Sequence, residues 1–140
     1  MHISSWQEEL RNTINDPSSL LTQLGLSAES ISLSHNHLDS LPLKVPQGFV
    51  KRMSKGNAND PLLRQILPLS LEDKTQDGFN CDPLGEAKRQ IIPGVLHKYH
   101  GRVLLVTTGA CAIYCRYCFR RYFPYNEAKA SQQNWQAALD

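Results

Sequence analysis

The chain has 140 residues, with 15 Lys and Arg against 13 Asp and Glu, for a formal net charge of +2. That balance is too small to mark a nucleic-acid partner, and 41% hydrophobic with 20% charged residues is ordinary globular composition, which excludes a disordered chain. One domain with a modest core is the default at this length. The longest apolar run, residues 103–106, suits one buried strand and is far too short to span a membrane.

The first residues, from Met1 through Trp6, contain neither a basic segment nor an apolar one of the kind that directs export. A cytoplasmic location with reduced thiols is therefore expected. Trp6, Leu10 and Ile14 recur every four residues and predict an amphipathic helix. Asp16-Pro17 then offers an N-cap and an N1 proline for a helix over 18–24, ended by Gly25. Residues 27–46 have weak periodicity and read as mixed helix and loop. Pro46 opens a helix through Phe49, Val50 and Met53, with Gly56 just past its end. Asp60-Pro61 repeats the earlier device for 62–67, and Pro68 closes that segment. Residues 72–94 are rich in Gly, Pro, Asp and Asn and read as connecting loops. A strand follows over 102–108, then a cysteine-rich loop, then a helix capped by Ser131 with Trp135 and Leu139 on one face.

This order divides the chain into a helical N-terminal region with its connector, 1–95, and a strand–loop–helix unit, 96–140. The class is α/β, and the strand is expected to be parallel, the first βα unit of a partial barrel. Its loop would then lie at the strand's C-terminal end, the face where such barrels keep their chemistry. A parallel strand needs neighbours, and the last helix lacks a C-terminal cap, so the sequence reads as the start of a larger barrel.

The cysteine loop carries the chemistry. The run CAIYCRYC places Cys111, Cys115 and Cys118 at C-x3-C-x2-C spacing. Three thiolates on one tight loop suit three irons of a [4Fe–4S] cube and leave the fourth iron open to a small chelating molecule. That arrangement is what a radical S-adenosylmethionine (SAM) enzyme requires. Structural zinc competes, but zinc sites favour C-x2-C pairs with a fourth ligand at a set distance, and His97 and His100 precede the strand. A small iron–sulfur electron carrier would need a fourth thiolate, for which Cys81 is the only spare. On its own, Cys81 reads as a free packed thiol, and His35 and His37 lack companion ligands.

Two further groups flank the loop. Lys98, Tyr99 and Arg102 put a ring and two cations close together, which would suit a planar, phosphorylated cofactor; a solvated basic loop is the plain alternative. Arg120 and Arg121 follow the last cysteine, and an Arg there would reach a substrate carboxylate, or simply lie on the surface.

Three segments resemble the lysine 2,3-aminomutase group of radical SAM enzymes, and most closely its elongation factor P (R)-β-lysylation branch. They are KGN at 55–57 with DPLLRQ at 60–65, PGVLHKYHGR at 93–102, and above all CAIYCRYCFRRYFPY at 111–125. The resemblance implies a partial α/β barrel holding a [4Fe–4S] cluster, SAM and pyridoxal 5′-phosphate (PLP). The implied reaction is isomerisation of L-lysine to β-lysine, with a reductant supplying one electron. In that branch the product passes to a lysyl ligase and is attached to elongation factor P; a free-lysine aminomutase of another pathway is the alternative. Position by position, the resemblance makes Cys111, Cys115 and Cys118 the cluster ligands and Arg120 the partner of the substrate carboxylate. Tyr99 and Arg102 become PLP contacts through ring and phosphate, with Lys98 in the same region. The glycine-rich SAM strand, the acids that hold the lysine ammonium and the PLP-linked lysine are expected beyond Asp140, so the chain alone is expected to be inactive.

Overall fold

A computed structural model describes residues 5–34, 41–118 and 121–122. The chain forms two compact units, Met1–Thr75 with Cys111–Cys118 and Gln76–Ala110 with Phe119–Asp140.

The first unit is built from short helices because proline, glycine and capping side chains interrupt it every few residues. Helix α1 (Trp6–Arg11) opens on a reciprocal cap: the Ser5 amide donates to Glu8 Oε2 at 2.8 Å and the Glu8 amide donates to Ser5 Oγ at 3.4 Å. The helix is shorter than the four-residue spacing predicts. Asn12 and Thr13, which prefer bonding to local backbone over continuing a helix, follow Arg11 directly. Ile14 has therefore left the helix and pairs antiparallel with Val45 through bonds of 2.8 and 3.0 Å, while Trp6 is 70% exposed.

Helix α2 (Pro17–Gln23) follows the expectation. Asp16 Oδ2 accepts from the Ser19 amide at 2.7 Å and from its hydroxyl at 2.8 Å, with Pro17 in the first turn and Gly25 after the last. Helices α3 (Gln47–Val50) and α4 (Pro61–Arg64) are single turns. The buried Asp60 carboxylate joins them, accepting from the Ser54 amide at 2.9 Å and from the Leu62 and Leu63 amides at 2.8 and 3.0 Å. Leu20, Leu21, Leu24, Val45, Leu63 and Ile66 form the centre of the core that these elements enclose.

The second unit is a three-stranded antiparallel meander of β1 (Gln90–Ile92), β2 (Val95–Tyr99) and β3 (Arg102–Leu105), in that spatial order. The strand at Arg102 is thus antiparallel to its neighbour, not the parallel strand expected from the sequence. The reason is local: only His100 and Gly101 separate β2 from β3, and two residues make a hairpin, whereas a parallel pair needs a crossover of about a dozen or more. Pro93-Gly94 makes the other turn. Gly94 and Gly101 both sit at positive φ, +84° and +73°, where a side chain is strained.

Two readings of this region are corrected. The segment expected as loop over 72–94 holds a 3-10 turn at Ala87–Arg89 and strand β1, too short to show alternation. Residues 103–105 are exposed, Leu104 at 55%, and only Val106 of that apolar run is buried. The described part of the unit is this meander with one 3-10 turn; the predicted helix from Ser131 lies outside the described residues. Among the described residues no helix is long and apolar enough to cross a membrane.

Candidate metal and cofactor sites

Cys111, Cys115 and Cys118 lie half-buried and free on one loop of the first unit. The loop is fastened to the helical region along its length. Ile113 packs on the core, the Tyr114 amide donates to the Lys44 carbonyl at 3.0 Å, and the Arg116 amide donates to the Gln65 carbonyl at 2.7 Å. Lys44 Nζ also stands 5.4 Å from the Tyr114 ring centre. A tight turn, with the Cys118 amide donating to the Cys115 carbonyl at 3.1 Å, sets the last two cysteines.

Burial pushes the Cys115 thiol above its ordinary range, and the charges of Cys118 and, more weakly, Cys111 add to the rise. Among the described residues no three Cys, His, Asp or Glu side chains converge as a ready-made metal centre. Drawing thiolates together meets mutual repulsion that a bound cation removes, so metal binding and thiol deprotonation are coupled. By donor chemistry the loop fits a thiolate-held cluster: three soft ligands on one anchored segment, with the fourth cysteine, Cys81, exposed in the second unit.

The other sequence-selected residues meet on the meander. Lys98, Tyr99 and Arg102 line a groove of about 460 Å³ together with Arg89, Glu86 and Leu96, a volume in the range of small-molecule sites. A register shift brings them to one face. Leu96 pairs with Leu104, yet Tyr99 rather than Lys98 pairs with Arg102, so one extra residue is accommodated between Leu96 and Tyr99. Without that bulge, strict alternation would put Tyr99 on the face opposite Leu96.

Tyr99 is 59% exposed, and two cations lie near its ring, Lys98 Nζ at 5.8 Å and Arg102 Cζ at 5.7 Å from its centre. Glu86 holds Lys98 at 3.8 Å and is the one acid against three cations in the groove lining. An accessible ring face, an arginine fork and excess positive charge fit a planar phosphorylated molecule such as PLP. Arg89 and Glu86 escaped sequence reasoning because they belong to a segment read as loop. Nothing in their spacing marks them. Arg120, the predicted carboxylate partner, lies outside the described residues, as do His35 and His37; His97 and His100 lie on β2 and its turn, in the second unit.

No family model matches the chain. Among curated proteins, the L-lysine 2,3-aminomutase of Escherichia coli (strain K12) is 46% identical over 136 residues, 96% of this chain and 40% of that protein. Those of Haemophilus influenzae and Buchnera aphidicola are 42% identical over 136 residues and 44% identical over 139, covering 97% and 99% of this chain. The chain spans about 40% of the length of these relatives.

Proposed function

We propose that the chain belongs, over the residues matched, to the L-lysine 2,3-aminomutase family and that it provides the cluster loop and part of the PLP groove of a radical SAM isomerase. The substrate is L-lysine, whose amino group moves from C2 to C3. The observation that carries this reading is the 46% identity to a protein of that name over nearly the whole chain.

A [4Fe–4S] cluster held at the cysteine loop would supply one-electron chemistry to SAM, fed by a one-electron reductant, and PLP held in the groove would supply electrophilic chemistry at the substrate amino group. The protein's part is to bind and orient. Cys111, Cys115 and Cys118 would hold the cluster through three thiolates, one fewer than its irons. Arg102 offers its guanidinium fork to the phosphate, Tyr99 its face to the pyridine ring, and Lys98 a second positive charge steadied by Glu86. Arg120 takes the lysine carboxylate, bidentately, on the strength of the motif it follows. The finer assignment, that the β-lysine is destined for elongation factor P through a lysyl ligase, rests on residues 111–125, and a free-lysine pathway is the alternative. Four free cysteines accord with a cytoplasmic location.

The test is a chimera of the Escherichia coli relative in which the 136 matched residues are replaced by those of this chain. Given SAM, PLP and a one-electron reductant, it is expected to form β-lysine, and Cys115→Ala in the chimera to abolish product. A chimera that takes up iron and binds PLP yet leaves L-lysine unchanged refutes the proposal.

A further inference from the structure

A second groove, of about 500 Å³, opens in the first unit beside the cysteine loop and holds none of the residues assigned to cluster or cofactor. Helix α1 contributes Leu10 and Arg11, the segment before α3 contributes Lys44, and the loop itself contributes Tyr114. Tyr114 directly precedes Cys115. Lys44 meets it twice: the Tyr114 amide donates to the Lys44 carbonyl at 3.0 Å, and Lys44 Nζ stands 5.4 Å from its ring centre. Among the described residues no acid lines this groove, and neither Arg11 nor Lys44 forms an ion pair. The acids nearest along the chain are held elsewhere. Glu8 accepts from the Ser5 amide at 2.8 Å, Glu9 from the Gly48 amide at 3.0 Å and Asp16 from the Ser19 amide at 2.7 Å. Trp6, 70% exposed, stands one turn before Leu10 on the same face of α1.

From this arrangement we infer that the groove is the docking surface of the electron donor: a small acidic protein with a one-electron redox centre, which sets its negative face on Arg11 and Lys44. The inference rests on the cluster role proposed for the cysteines. The donor gives up one electron, the cluster takes one, and no bond or proton changes place. Three physical points carry it. Uncompensated cations grouped at one groove attract and orient a negative partner, which raises the association rate where salt is low. Trp, Tyr and Arg are the side chains that protein interfaces concentrate, and transient redox encounters need only a small area. A donor seated on Tyr114 also stands one residue from a proposed cluster ligand, Cys115, so the electron's path is short.

The test uses the chain reconstituted anaerobically with iron and sulfide, beside a double variant carrying Arg11→Gln and Lys44→Gln. Reduced flavodoxin, an acidic flavin protein, and reduced methyl viologen, a small radical cation, each deliver one electron, and the fading of the cluster's absorption is followed by stopped flow. At low ionic strength flavodoxin is expected to reduce the double variant about tenfold or more slowly than the unmodified chain, and the gap to close as salt rises. Methyl viologen is expected to reduce both at the same rate, which separates a lost docking site from a damaged cluster. Equal flavodoxin rates in the two chains overturn the inference, as does an equal slowing with methyl viologen. Should the unmodified chain take up no iron, the role proposed for the cysteines fails, and titration of the metal-free chain with oxidised flavodoxin decides whether the surface takes such a partner. Affinity that the double variant loses supports the docking surface, and absence of binding overturns it.

Discussion

The two compact units solve the same problem, holding a few reactive side chains still, with opposite means. In the first, the cysteine loop is laid against a packed core, with Leu20, Val45, Leu63 and Ile66 all fully buried beneath it or around it in the same unit. Its backbone amides are bonded to carbonyls of distant segments, and a buried ion pair pins its middle. In the second, a small meander buries Val95, Leu96 and Val106 but leaves Val103, Leu104 and Leu105 exposed, and its groove residues are ordered mainly by strand register and turn geometry. The cysteines proposed as metal ligands sit where packing is dense. The groove proposed for a flat molecule sits where local backbone shape suffices. By the same logic the meander should open at lower free energy than the core of the first unit.

The sharpest break in that comparison comes from deleting matched leucines. Leu63→Ala, at 0% exposure, is expected to cost the first unit about 2–5 kcal/mol in denaturant unfolding. Leu104→Ala, at 55% exposure, should change the second unit by no more than about 0.5 kcal/mol. Equal losses would show that the two units unfold as one. Gly101→Ala comes next. Open space surrounds the position where its Cβ would stand, so the cost is the backbone conformation alone, about 1–2 kcal/mol at φ +73°. It should appear as lost amide protection across β2 and β3 with the first unit's protection unchanged.

Acid should separate the units as well. Hydrogen bonds from the Ser54 and Leu63 amides hold the Asp60 carboxyl below its ordinary 3.8, and those from Ser19 do the same for Asp16. A carboxyl depressed in the folded state adds stability that is complete above its unfolded value and is lost as pH falls through the folded one. The first unit should therefore weaken from about pH 4 downward, and Asp60→Asn should flatten that fall while leaving neutral-pH secondary structure in place. The smallest effect is expected for Lys98→Ala. Its pairing with Glu86 at 3.8 Å is loose and partly exposed, worth at most about 1 kcal/mol of stability, so the change should register in affinity for pyridoxal phosphate before it registers in melting.

How much of this was legible beforehand depended on the reach of each interaction. The Asp16-Pro17 and Asp60-Pro61 helix starts were readable because a cap and its amides lie within three residues of one another. That the three cysteines share one loop was readable for a similar reason, since they fall within eight consecutive residues. Arg116 was not: it stood in plain view in the motif, but its partners Glu72 and Leu41 are far along the chain and nothing in the intervening sequence announces them. Tyr99, Arg102 and Lys98 were singled out by type, yet the bulge that turns Tyr99 toward Arg102 is a property of register between strands. The parallel strand was inferred from the motif that follows it, although the single glycine turn at Gly101 was the nearer and stronger signal for a hairpin.

The central claim, that Cys111, Cys115 and Cys118 hold an iron–sulfur cluster with one iron left open, is tested most directly by metal and sulfide analysis of the anaerobically reconstituted chain alongside four single variants. Iron and sulfide in equal amounts are expected in the unmodified chain and in Cys81→Ala, with an electron paramagnetic resonance signal on reduction that shifts when SAM is added. Each of Cys111→Ala, Cys115→Ala and Cys118→Ala should lose them. Zinc in place of iron, or a cluster that disappears with Cys81, would contradict the account.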